Sequence, residues 1–151
     1  TDAEGRLALA DAMAYVVKNY KPSRIVDFAT LTGSIVAALG EDYAGLFSTD
    51  KVADKILEAG DYVGEKVWRM PLPDDYNELL KSKIADLNNI SSSNYGGAIT
   101  AALFLKNFVG ETPWTHIDIA GTARGSKRKH YWPVYGTGFG VRLMLEWLRK
   151  N

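Results

Sequence analysis

Cysteine is absent from the 151 residues, so neither a disulfide nor a thiolate-held metal belongs to this chain. A chain without Cys fits a reducing compartment, and the cytoplasm is the expected location. No apolar run approaches the ~20 residues that a membrane-spanning helix needs, and the opening residues do not read as a signal peptide. Excess charge of either sign is missing too, since 18 basic residues balance 18 acidic ones. Overall charge therefore calls for neither nucleic acid nor an anionic membrane as a partner. What is present is a globular composition, 46% hydrophobic and 24% charged, at a length suited to one domain with a sizeable core.

The chain opens on Thr1-Asp2-Ala3-Glu4-Gly5-Arg6-Leu7. In an extended segment, side chains at i, i+2 and i+4 share a face, so Asp2, Glu4 and Arg6 can converge on one point. Two hard oxygen donors beside a guanidinium suit a divalent metal that also handles an anion. The same residues suit an acidic helix start that complements the macrodipole, and spacing alone leaves both readings open. Thr1 raises a third, the N-terminal nucleophile hydrolase, in which a free threonine amine activates its own hydroxyl. That chemistry needs a strand after the nucleophile and a lysine close by. Here a helical period starts by Arg6, and the nearest lysine, Lys18, lies at the far end of that helix.

Leu9, Ala12, Met13, Val16 and Val17 recur at helical spacing, which predicts a helix over 6–19, ended by Lys21-Pro22-Ser23. Residues 24–29 form an apolar run with β-branched members, the mark of a buried strand. A helix over 32–39 follows, with Gly40 as its cap, then a strand over 43–47. Thr49 and Asp50 are placed to cap a helix that buries Val52, Ala53, Ile56 and Leu57. A strand over 67–70 stops at Pro71 and Pro73, a short helix covers 74–81, and the Ser/Asn/Gly-rich 88–97 is a loop. The next helix places Ala98, Ala101, Ala102, Leu105, Phe108 and Val109 on one face. A strand over 114–119 leads into a long basic and aromatic loop over 121–137. The last helix is expected to turn Val141, Met144, Leu145 and Leu148 inward, with Arg142 and Glu146 paired outside. Strands and helices alternate without hairpin signals. This predicts an α/β, three-layer architecture with helices covering a mostly parallel (mixed) sheet.

Several segments resemble, in order, those of the leucine aminopeptidase family. TDAEGRL resembles its NTDAEGRL signature, and Asp27-Phe28-Ala29-Thr30-Leu31-Thr32-Gly33 its (D/N)-x-ATLTG segment. Ile84-Ala85-Asp86-Leu87-Asn88-Asn89, Gly96-Gly97-Ala98-Ile99-Thr100-Ala101-Ala102, Trp114-Thr115-His116-Ile117-Asp118-Ile119-Ala120-Gly121 and Gly136-Thr137-Gly138-Phe139-Gly140-Val141-Arg142 follow. The resemblance implies an aminopeptidase with two divalent metal ions, zinc or manganese, acting on N-terminal residues with a leucine-like preference. It implies Asp2 and Glu4 as metal ligands and Arg6 as the catalytic arginine, holding a bicarbonate that shuttles a proton. It also implies that the Thr30 and Leu31 carbonyls and the Gly33 N–H hold the peptide, and that Ala120 stands at a side-chain pocket. The family's further ligands, a lysine and two aspartates, precede the signature. Residues 1–151 are accordingly expected to be the C-terminal part of a larger catalytic domain, inactive alone and homohexameric in the intact enzyme. The alternative is an inactive assembly or interaction fragment, with DNA binding as a remote second activity.

Two remaining features read more plainly. His116 alternates with apolar neighbours and is expected to be a hydrogen-bonded core residue, while His130 and the cations of 124–129 form a solvated loop or subunit contact. Gly136-Thr137-Gly138-Phe139-Gly140 resembles half of a phosphate-cradling loop but precedes the final helix with no strand after it, so it reads as a helix cap.

Overall fold

The computed structural model describes residues 3–125 and 134–150. Its helices are α1 (Gly5–Tyr20), α2 (Gly33–Leu39), α3 (Val52–Val63), α4 (Gly97–Lys106) and α5 (Val141–Lys150). Its strands are β1 (Ile25–Ala29), β2 (Ala44–Ser48), β3 (Val67–Arg69), β4 (Trp114–Asp118), β5 (Arg124–Gly125) and β6 (Tyr135–Gly136), and a 3-10 helix spans Asp74–Leu80. Among the described residues, no helix is long and apolar enough to cross a membrane.

Four strands form one sheet in the order β1-β4-β2-β3. β4 is parallel to β1, with Ile25 opposite Trp114 and Ala29 opposite Asp118. It is antiparallel to β2, with Gly45 opposite Asp118, and β3 runs parallel to β2. The sheet is thus mixed, and its antiparallel step brings the start of β2 to the end of β4. β5 and β6 add a small antiparallel ribbon inside the expected long loop. Two-residue strands are too short to show the alternation by which a hairpin is read.

Alternation along the strands separates two cores. Trp114 and Phe47 join Met13, Ile35, Leu80 and most of α4 on one face. Ile117, Leu46 and Ala44 join α3, Val67 and α5 on the other. Helices therefore cover both faces, as expected of a sheet whose strands read as continuous apolar runs.

Three helices differ in detail from their sequence patterns. α4 buries Ala98 and every residue from Thr100 to Leu105, so it is wrapped on nearly all sides and ends before Phe108 and Val109. α3 has Lys51 at its N-cap with no side-chain cap. Asp50 instead pairs with Arg24 at 2.9 Å, and the Thr49 hydroxyl accepts the Trp114 N–H. α5 is rotated from the expected phase. Leu143, Glu146 and Trp147 are buried and Met144 packs against the core as expected, whereas Val141, Leu145 and Leu148 are about 60% exposed.

Glu65 explains that rotation. Its carboxylate, almost fully buried, accepts the N–H groups of Gly140 at 3.0 Å and Leu143 at 2.9 Å. Arg142 therefore faces Glu65 at 3.4 Å, and Glu146 pairs with Lys150 rather than Arg142. Gly140, at φ 96°, lies so close to the Phe28 ring that a Cβ would stand 2.6 Å from it. The glycine-rich turn is thus a helix cap and close approach, with the α5 N-terminal amides already committed to a carboxylate.

Candidate functional site

At the carboxyl end of β1 lies a cleft of about 490 Å³, walled by the first turn of α1 and the connection into α2. Open α/β sheets expose main-chain groups at such edges. Thr32 shapes the connection, because its hydroxyl caps α2 by accepting the Ile35 N–H at 3.1 Å. Glu4, Arg6, Thr30, Leu31 and Gly33 all line this cleft. Residues more than 20 positions apart in sequence are thereby brought to one opening.

The opening motif reaches it differently from an extended segment. Ala3 is left-handed at φ 56°, and Glu4 is already helical at φ −73°, ψ −33°, as the N-cap of α1. The i, i+2, i+4 rule of a strand therefore does not apply between Glu4 and Arg6. Glu4 is exposed and makes no cap bond. Arg6 is half-buried and donates to the Asn89 carbonyl at 3.0 Å. The Asn89 amide returns a bond to the Ala3 carbonyl, also at 3.0 Å. The loop after the 3-10 helix thus clamps the motif from outside.

Asp2 and Thr1 lie outside the described residues, as do His130 and the cations at 127–129. Arg124 stands over the Tyr135 ring at 6.0 Å. Ala120 is not among the described residues that line the cleft. It follows β4, and its N–H donates to Asp118 Oδ1 at 3.1 Å.

Among the described residues, no group of three or more His, Asp or Glu could hold a metal ion. Glu4 is the carboxylate on the cleft wall, and one exposed carboxylate is far short of the six or so donors a hard divalent cation takes. The described residues alone therefore do not fit a dinuclear metal group, and any such group needs donors beyond them.

Asp118 is a site residue that the sequence did not reveal. Fully buried, it accepts the Leu31 N–H at 3.0 Å, the Thr32 hydroxyl at 2.7 Å and the Ala120 N–H. Its main partners are 86 and 87 residues away, so no local pattern marks it. Alternation with His116 on one strand face was the available signal, and it indicated only an inward position.

His116 is the expected core residue. It is buried between Trp114 and Phe47, with both rings stacked on it at centroid distances of 6.0 Å. Its Nδ1 lies 2.6 Å from Asp27 Oδ1, and the other Asp27 oxygen accepts the Trp114 indole N–H at 2.7 Å.

Comparison with known proteins shows the family and the fold. Residues 1–145 match the model of the cytosol aminopeptidase family, catalytic domain. A probable cytosol aminopeptidase of Brucella melitensis is 54% identical over 95% of the chain, and one of Cenarchaeum symbiosum 52% identical over 99%. Among solved structures, a mutant tomato leucine aminopeptidase superposes with a TM-score of 0.90 at 45% identity over 99% of the chain. The chain spans about 30% of the length of these relatives.

Proposed function

The chain belongs to the cytosol aminopeptidase family, and from that membership we propose that its cleft serves in the removal of N-terminal residues from peptides, with a leucine-like preference. One observation carries the reading: Glu4 and Arg6 share a single opening with Thr30, Leu31 and Gly33. An acidic side chain, a guanidinium and a row of main-chain groups meet there.

In this reading Asp2 and Glu4 are ligands to two divalent ions, zinc or manganese, completed by donors outside residues 1–151. Such ions, when bound, supply Lewis acidity at the scissile carbonyl. The residues of this chain do the positioning. The Thr30 and Leu31 carbonyls and the Gly33 N–H pair with the peptide main chain, which leaves the side chain unread. Ala120 stands near the side-chain pocket. Arg6, held by Asn89, carries a planar guanidinium that would hold a small oxyanion such as bicarbonate, and that group would supply a proton acceptor beside the cleft. The domain assignment, a C-terminal part of a catalytic domain, the homohexameric assembly and the cytoplasmic location belong to the same proposal.

Glu4→Gln in the complete gene product tests it. Side-chain volume is nearly unchanged but the ligand charge is lost, so hydrolysis of leucyl amide should vanish while the circular dichroism spectrum stays native. Wild-type turnover would make Glu4 only a complement to the α1 dipole. The competing reading is an inactive assembly part. Stoichiometric bound metal together with leucine release would eliminate it.

A further inference from the structure

We propose that Asp118 is the positioning residue that aims the Thr30 carbonyl into the cleft and ties that carbonyl to the Ala120 loop. The inference rests on the peptide-binding reading of Thr30, Leu31 and Ala120, and it adds to that reading a group buried beneath the site.

Peptide planarity supplies the physical step. In a trans peptide, the N–H of one residue points opposite to the C=O of the residue before it. Asp118 Oδ1 takes the Leu31 N–H from below, so the Thr30 carbonyl is turned the other way, toward the cleft that Thr30 and Leu31 line. The same oxygen takes the Ala120 N–H, which turns the Ile119 carbonyl away as well. That carbonyl then closes the turn by accepting the Thr122 and Ala123 N–H groups at 3.1 and 2.8 Å. Oδ2 takes the Thr32 hydroxyl, whose oxygen caps α2 just beyond Gly33. One buried carboxylate thus sets the peptide planes on both sides of the strand-end edge. Three donors to a charged acceptor make strong, directional bonds, and neither loop can rotate without breaking one. Asp118 touches no substrate in this scheme and acts through the main chain.

Asp118→Ala is the test, made in the complete gene product. Alanine removes both acceptor oxygens, so the Leu31 and Ala120 N–H groups and the Thr32 hydroxyl lose their common partner together. Two readouts are taken. Hydrogen exchange at the Leu31 and Ala120 amides should accelerate by at least about 10-fold over neighbouring strand amides. KM for leucyl amide should rise about 10- to 100-fold, with kcat changed far less, since misplaced main-chain acceptors weaken ground and transition states alike.

Unchanged exchange at both amides overturns the proposal. So does faster exchange with an unchanged KM, which leaves Asp118 a structural residue while the peptidase reading stands. A wild-type protein without peptidase activity sinks that reading and, with it, the substrate role given to Asp118; the exchange data then still decide whether Asp118 holds the two loops. If Asp118→Ala does not fold, Thr32→Val removes the Oδ2 bond together with the α2 cap and should raise KM, and Thr32→Ser, which keeps both bonds, should return it to the wild-type value. Equal KM for the Val and Ser variants overturns the proposal by that route.

Discussion

Glu65 offers the sharpest stability test in the molecule. Its carboxylate is 1% exposed and receives two α5 amides, with Arg142 alongside. Glu65→Ala removes the acceptor and leaves two buried N–H groups orphaned, each at about 1–3 kcal/mol. Arg142, 41% exposed, is rehydrated and adds little. The expected loss is about 3–5 kcal/mol, the scale for removing one partner of a buried charged interaction. Glu65→Gln keeps an oxygen that both amides can reach and loses the charge at the helix N-terminus together with the exposed Arg142 pairing, about 1–2 kcal/mol in all. For a chain of this size each kcal/mol shifts Tm by roughly 2–4 °C. The alanine variant should therefore melt roughly 6–20 °C lower, and the glutamine variant roughly 2–8 °C lower. Thermal unfolding followed by tryptophan fluorescence gives both shifts and urea unfolding the corresponding free energies, with Trp147 on the same helix as a reporter. An alanine variant within about 1 kcal/mol of wild type, or no gap between the two substitutions, would refute the cap and with it the explanation of how α5 is phased.

Arg6→Lys keeps the charge and loses the planar fork, so turnover in the complete gene product should fall by about 10²–10⁴-fold with metal content unchanged; parallel loss of metal would make Arg6 a support for the carboxylates instead. Gly121→Ala should destabilise by about 1–3 kcal/mol, because a Cβ there would run into the Gly40 carbonyl oxygen; an unaltered melting curve contradicts that close approach. Asp50 is held below its ordinary 3.8 first by the Arg24 hydrogen bond, against an opposing effect of burial. A depressed carboxylate contributes stability that is complete above its unfolded pKa and is lost as pH falls through the lower folded value. The small stability gap between wild type and Arg24→Gln should therefore close in strong acid, and a gap independent of pH would deny the pairing.

Much of the fold is legible because periodicity is local. Leu9, Met13 and Val16 announce α1, and the run from Ile25 to Ala29 announces β1, each within a residue or two of the observed ends. The misreadings arise where distant groups decide. Val141, Leu145 and Leu148 form as good a stripe as Leu143 and Trp147, and only Glu65, more than 70 residues earlier, selects the second. α4 has an apolar residue on nearly every face, so choosing one face understated how fully it is enclosed. The antiparallel step between β2 and β4 has no sequence mark, since a strand buried on both faces looks the same in either direction. For the site, the motif residues were readable as residue types. Their backbone was not, because Ala3 adopts a left-handed conformation and starts the helix at once. Asp118 was quoted only as part of a resembling segment; its role depends on partners that only the folded sheet brings near.

The place of β4 in the sheet has a consequence for how the protein comes into being on the ribosome. β4 separates β1 from β2, yet its pairing with β1 joins Ile25 to Trp114. At ~5–20 residues per second, roughly 4–18 s pass between synthesis of the first of these and the second. Through that interval β1 has no partner among the described strands, while β2 and β3 can already pair. Nascent chains are then exposed to edge-to-edge association through an apolar strand, and closure over so long a loop places folding among the slower topologies. The Thr30–Leu31 edge of the cleft cannot be fixed before Asp118, which accepts the Leu31 N–H, arrives with the strand that completes the sheet.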